Sequence, residues 1–199
     1  EDTSPQDIYF KDDGTKMFIL GDIGNDVNEY ALSTAWEVNT ATFTTVFSFA
    51  SQETQPLGLY FKPDGSRMYI CGTTAISPAG ADQVRSYTLS NPWDISTGVT
   101  YDSKAYTVSD TAPQGVYLKD DGLKMYVVGS TGDAVYEYSL SIAWELDSTI
   151  TLLNTLLIGA TNTLNLPLTL TAPTGIDFNA SGTKMYITDV NRDGVARFD

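Results

Sequence analysis

Pro56-Leu57-Gly58-Leu59-Tyr60-Phe61-Lys62-Pro63-Asp64-Gly65-Ser66-Arg67-Met68-Tyr69-Ile70 is a phrase that this chain writes four times. It stands first as Pro5-Gln6-Asp7-Ile8-Tyr9-Phe10-Lys11-Asp12-Asp13-Gly14-Thr15-Lys16-Met17-Phe18-Ile19, and returns from Pro113 to Val127. A looser copy runs Pro173-Thr174-Gly175-Ile176-Asp177-Phe178 and then Gly182-Thr183-Lys184-Met185-Tyr186-Ile187. Prolines 5, 56, 113 and 173 lie 51, 57 and 60 residues apart, and Gly14, Gly65, Gly122 and Gly182 keep the same spacings. A period of that length marks tandem supersecondary units that bury their apolar faces against one another.

Within each unit the first run alternates apolar and polar residues, as in Ile8-Tyr9-Phe10 and Val116-Tyr117-Leu118, and predicts a short strand. Asp-Gly follows in three copies and Ser181-Gly182 in the fourth, a hairpin turn in which glycine accepts a positive φ. A second strand is expected at Lys16–Leu20 and its equivalents, and a third at Val27–Leu32, Val84–Leu89, Val135–Leu140 and Val195–Phe198. Next comes a second constant phrase, Ser33-Thr34-Ala35-Trp36-Glu37-Val38, Ser90-Asn91-Pro92-Trp93-Asp94-Ile95 and Ser141-Ile142-Ala143-Trp144-Glu145-Leu146. Fourth strands are expected at Phe43–Phe49, Val99–Val108 and Ile150–Ile158. Tandem units of four antiparallel strands predict an all-β fold, a β-propeller. A sandwich would not require every hairpin to repeat the same residues. The expected blades of this single propeller domain are approximately 5–55, 56–112, 113–172 and 173–199, the last lacking its fourth strand.

The consensus P-x-G-φ-x-F-x-x-D-G-x-K-M-Y-φ, with V-x-x-Y-x-L-S-x-x-W-D/E after it, resembles the propeller repeats of secreted bacterial and bacteriophage proteins, relatives of the NHL and YVTN-type repeats. The resemblance covers nearly the whole chain and implies fold far more than function. It also raises the lactonase type of propeller, in which Glu, Asn and Asp hold a metal in the channel. No such constellation stands at identifiable spacing here, and Gln6, Leu57, Gln114 and Thr174 offer the channel mouth no acid or base.

Acidic residues number 25 against 11 basic ones, a formal charge of −14. Phosphate backbones are read by Lys and Arg clusters, so nucleic acid is not an expected partner, and an anionic membrane surface is disfavoured in the same way. No apolar run is long enough to span a membrane. Histidine is absent, which removes the commonest general base and zinc ligand. Cys71 is the only cysteine and ends an apolar strand pattern, the setting of a buried structural thiol. The chain opens at Glu1, which suggests a processed or excised form, and few lysines beside many Thr, Ser, Asn and Tyr suggest an extracellular setting: secreted, cell-surface or on a virus particle.

The loops between second and third strands vary most and are expected on one propeller face, carrying Asp22, Asn25, Asp26, Asp82 and Asp133 as a binding surface. Asp189-x-Asn191-x-Asp193-Gly194 matches the start of an oxygen-ligand Ca²⁺ loop and resembles those of EF-hands and integrin-type blades, although Arg197 stands where an acid is wanted. The same residues also suit a tight Asx-type turn. Trp36, Trp93 and Trp144 recur at one position, which favours packing between blades over sugar binding. The expected function is therefore a non-catalytic structural or binding module, not an enzyme, that assembles or adheres through its loops. Its expected partners are a protein or a second copy at an open blade edge, or a glycan. The alternatives are a metal-dependent lactonase-like hydrolase and a lectin.

Overall fold

The computed structural model describes residues 2–74, 82–159 and 169–199. Part of the second variable loop, at 75–81, lies outside them. The first blade is the sheet β1 (Pro5–Phe10), β2 (Lys16–Gly21), β3 (Asp26–Leu32) and β4 (Ala41–Ser48). The second is β5 (Pro56–Phe61), β6 (Arg67–Gly72), β7 (Gln83–Leu89) and β8 (Val99–Thr107). The third is β9 (Pro113–Leu118), β10 (Lys124–Gly129), β11 (Ala134–Leu140) and β12 (Ile150–Leu157), and the fourth has three strands, β13 (Pro173–Phe178), β14 (Met185–Asp189) and β15 (Gly194–Phe198). Every pairing is antiparallel and sequential, so the chain is a β-propeller array of the expected kind. Among the described residues no helix is long and apolar enough to cross a membrane.

The hairpin turns follow from their residues. Gly65 donates its N–H to the Lys62 carbonyl at 2.7 Å and takes φ of +73°, where a side chain would be strained. Each inner strand skips its second residue in the ladder, Gln6, Leu57, Gln114 and Thr174, a bulge that all four blades share.

The cores lie between blades rather than within them. Phe18, Leu20 and Val27 of the first blade interlock with Leu59, Phe61, Met68, Ile70 and Tyr87 of the second. Equivalent clusters join the second blade to the third and the third to the fourth. Cys71 is buried in the second of these clusters. The inner strands approach closely, since a β-carbon at Gly115 would lie 3.1 Å from the Gly175 Cα. The packing runs β1 to β5 to β9 to β13, and β13 has none comparable with β1. The outward face of the first blade is accordingly open: Ile8 is 51% exposed where its equivalent Leu59 is 3%.

An acid staples each of the first three blades at one end, buried in the second and third and half-buried in the first. Three residues before the repeat proline stand Asp2, Glu53 and Asp110. Glu53 accepts the N–H groups of Thr54, Gln55 and Thr74, and its Oε2 meets the Arg85 guanidinium at 2.6 Å with both side chains fully buried. Asp110 accepts from Ala112, Thr131 and Gly132, and Asp2 from Ser4 and Gly24. These carboxylates tie the blade-to-blade linker to the loop after the second strand. In the fourth blade Leu170 takes that place, and Asp189 supplies a carboxylate from the other side by accepting the Ala172 N–H at 2.9 Å. Removing one partner of a buried ion pair leaves a charge without water or counter-charge. Glu53→Ala is therefore expected to cost about 3–5 kcal/mol of stability, read by denaturant unfolding, whereas Glu37→Ala at an exposed position is expected to change stability by less than about 0.5 kcal/mol.

Candidate functional site

The four inner strands line one axial cavity of about 660 Å³. The repeat sets what each strand presents there, and two positions break it. Where the other blades have Gly58, Gly115 and Gly175, the first has Asp7; where the others have Tyr9, Tyr60 and Tyr117, the fourth has Asp177. Both acids line the cavity, with Asp12 and Asp120 at its margin and no Lys or Arg among the lining residues.

Asp7 is held from two sides. Its Oδ2 accepts the Leu59 N–H of the next blade at 2.7 Å, and its Oδ1 accepts the Ile8 N–H at 2.8 Å. Burial nonetheless dominates and pushes its pKa up to about 6, with the Asp177 charge adding to the rise. Partial burial also raises the Asp177 carboxyl above its ordinary value. The tyrosines form a chain of edge-on rings, Tyr9 to Tyr60 at 5.6 Å and Tyr60 to Tyr117 at 5.3 Å, continued by Phe178 at 4.9 Å from Tyr117. Burial pushes the Tyr117 hydroxyl up to about 12, so it is a neutral hydrogen-bond donor at ordinary pH. The arrangement offers two carboxyl groups on one cavity, Asp7 half-buried and Asp177 exposed, with aromatic faces beside them and a field that repels anions.

The loop residues expected to form a binding surface lie at the end of the blades where the inner strands begin, since Pro5 pairs with Gly21 and Asp7 with Leu20, just before the first of these loops. Asn25, Asp82, Asp133 and Asp193 hold one repeated left-handed position before the third strand, with φ of 46°, 64°, 44° and 48°. Asn and Asp tolerate that conformation best among residues with a side chain, which accounts for their identity there. Asp22 accepts the Asn25 N–H through its backbone carbonyl, and Asp26 accepts from the Asn28 amide at 2.7 Å. Neighbouring acids meet in this ring of loops: Asp2 raises the Asp26 carboxyl beyond the effect of its burial, and Asp189 and Asp110 do the same to Asp133. Around the expected Ca²⁺ loop, Asp189 is buried on the Ala172 amide, Asn191 donates to Thr171 Oγ1 at 3.1 Å, and Asp193 closes a one-turn 3₁₀ segment. Among the described residues no group of three or more His, Cys, Asp or Glu side chains converges as a metal-holding cluster.

No protein-family profile matches the chain, and no curated protein matches it. Solved structures do. A Lactobacillus plantarum protein superposes with a TM-score of 0.59 at 15% identity, over 97% of this chain and 50% of that one. A candidate 6-phosphogluconolactonase of Bacteroides uniformis gives 0.58 at 14%, over 93% and 50%. The periplasmic gluconolactonase of Pseudomonas aeruginosa gives 0.54 at 13%, over 78% and 40%. The likeness is one of fold. This chain spans about half the length of these proteins or less.

The expectation of a non-catalytic structural module, and of no enzyme, is corrected by these neighbours, because lactonases recur among the propellers that the chain superposes on. Gln6, expected at the channel mouth, stands one residue before the acid that lines the cavity, Asp7. The signal was present, as an acid in one copy where three copies carry glycine.

Asp7 also makes stability depend on pH. Its folded-state pKa lies above the ordinary 3.8, so the folded protein binds the proton more tightly than the unfolded chain. The contribution is most favourable below about pH 4 and is lost as pH rises through about 6. Asp7→Asn is expected to flatten the fall of Tm between those two values, as followed by calorimetry across that range.

Proposed function

We propose that the axial cavity hydrolyses a neutral, sugar-derived lactone, with Asp7 and Asp177 as the working pair. The observation that carries this reading is that both acids break the repeat at cavity-lining positions and both have raised pKa values. Two carboxyl groups whose charges interact titrate apart, so one is ionised while the other keeps its proton. The ionised partner takes a proton from water as that water adds to the lactone carbonyl carbon. The ring C–O bond then breaks, and the protonated partner gives its proton to the departing alkoxide. The Tyr117 hydroxyl can donate to the carbonyl oxygen as charge develops there, and the Tyr9, Tyr60 and Tyr117 rings supply faces for the sugar carbons.

A divalent ion does not fit this donor set. Asp7 commits both oxygens to backbone N–H groups, and no third metal-ligating side chain converges on the pair among the described residues. No step is routed through a metal. The acidic lining, without Lys or Arg, favours an uncharged lactone over a phosphorylated one. The repeat phrase supports a place among NHL/YVTN-like propellers, and the periplasmic Pseudomonas neighbour supports a secreted or periplasmic setting.

The test is acid release from glucono-δ-lactone and from its 6-phosphate, followed by pH-stat against the spontaneous rate. The neutral lactone is expected to turn over faster than the phosphorylated one. Asp7→Asn and Asp177→Asn should each lower kcat by about 10²-fold or more, the usual worth of a positioned acid or base. A rate no greater than buffer, or unchanged in both variants, would sink the proposal.

A further inference from the structure

A carboxylate takes the place of a glycine at the end of β14. Pro5, Pro56 and Pro113 each pair with a glycine, Gly21, Gly72 and Gly129, whereas Pro173 pairs with Asp189. A β-carbon at any of those glycines would run into the stapling acid of its own blade, Asp2, Glu53 or Asp110. The Asp189 side chain therefore fills the space of a staple, and it is 3% exposed. The second and third blades show what a buried acid receives there. Glu53 accepts from Thr54, Gln55, Thr74 and the Arg85 guanidinium, and Asp110 from Ala112, Thr131, Gly132 and the Tyr136 hydroxyl. Asp189 accepts only the Ala172 N–H, through Oδ2, and its Oδ1 is buried with no hydrogen-bond partner. All the donors to Glu53 and Asp110 come from their own blade or the linker leading into it, so the shortfall at Asp189 belongs to the fourth blade itself.

A second orphaned carboxylate oxygen stands across the seam. Asp133 Oδ1, in the loop between β10 and β11, is also buried without a partner, and Asp189 is the strongest charge acting on the Asp133 carboxyl, ahead of Asp110. The left-handed turn there accommodates Asn and Asp alike, so it does not account for the charge. In the first blade the equivalent residue is Asn25, whose amide nitrogen, turned toward oxygen, donates to the Asp22 and Thr54 carbonyls at 3.1 Å each. A carboxylate in that place can donate nothing. Among the described residues no lysine or arginine pairs with Asp133 or Asp189. Arg192 is engaged by Thr169, donating to its carbonyl at 2.5 Å and to its Oγ1 at 2.9 Å. Two neighbouring acids, one of them buried, require a positive partner.

We propose that a Ca²⁺ ion bridges Asp133 Oδ1 and Asp189 Oδ1 and ties the third blade to the fourth. Oxygen donors of this kind suit a hard cation, with water completing its shell. The formal charge of −14 raises the local concentration of cations at the surface. The pair is distinct from the Asp189-x-Asn191-x-Asp193 loop, where Asn191 is held by Thr171 and Asp193 closes the turn. Two carboxylates place the affinity at the weak end of calcium sites, about 10⁻⁴–10⁻³ M. The ion acts on the seam and not in the axial cavity, so its failure would leave the proposed hydrolysis untouched.

The test follows Tm at pH 7 as CaCl₂ is titrated into protein stripped with EGTA, with MgCl₂ and NaCl at matched ionic strength beside it. Ca²⁺ is expected to raise Tm by a few degrees, saturably and with a midpoint between about 0.1 and 1 mM. Asp133→Asn repeats the residue of the first blade, so it should raise Tm without calcium and weaken the calcium response at least about tenfold. Asp189→Asn should remove the response, whereas Asp193→Asn should leave it intact, which separates this pair from the neighbouring loop. A Tm that does not saturate with Ca²⁺, that follows NaCl equally, or that responds to Ca²⁺ unchanged in Asp133→Asn overturns the proposal. A Tm that rises from pH 7 to 5 in the parent but not in Asp133→Asn, with no calcium response, assigns the positive partner to a proton and overturns it too.

Discussion

The structure depends on a tryptophan laid over a glycine. Trp36, Trp93 and Trp144 adopt φ of 67°, 62° and 68°, a region where a bulky residue is strained. Each is held there by donating its N–H to the carbonyl of the turn glycine at 3.0 Å. The left-handed residue turns the indole down onto the hairpin and leaves the tryptophan carbonyl facing the preceding blade, where Lys16 or Arg67 receives it. A local turn thus fixes a contact between blades. The glycine is required for its own positive φ and because a side chain would occupy the space of the ring. Trp36 meets no preceding blade among the described residues and is 57% exposed, which shows how much of this burial belongs to the neighbour.

Most of this fold is legible in the sequence because a repeat is its own alignment. Four copies of one phrase show which residues the blade needs. The inner strands begin three residues before the expected runs, at the repeat proline. The second, third and fourth strands fall within a residue or two of their expected ends. Phe43–Phe49, for example, is Ala41–Ser48 in the structure. The stapling acids were harder to see. Asp2, Glu53 and Asp110 precede the constant phrase, vary between Asp and Glu, and are displaced by Leu170 in the last blade, so no single copy announces them. Their role is visible only once the loop whose amides they bind has been placed.

The site was legible only as deviation. Positions that keep the repeat, such as Gly115 and Phe61, are explained by packing. Asp7 and Asp177 are not, because each puts a carboxylate where packing alone is served by glycine or tyrosine, and burial raises both pKa values. A residue that opposes the preference of its fold and costs stability is a mark of function rather than of architecture. The loop acids, by contrast, agree with their fold: Asn25, Asp82, Asp133 and Asp193 sit where the chain must turn left-handed.

The two cavity acids stand on the two blades with one unpacked face. Asp7 belongs to the first blade and Asp177 to the fourth, while apolar clusters close the three seams between them. Their separation is therefore set by the stacking of four blades in series, without direct strand packing of β13 on β1 to fix it. Small rotations at each seam would accumulate at that pair, because every described seam lies between Asp7 and Asp177.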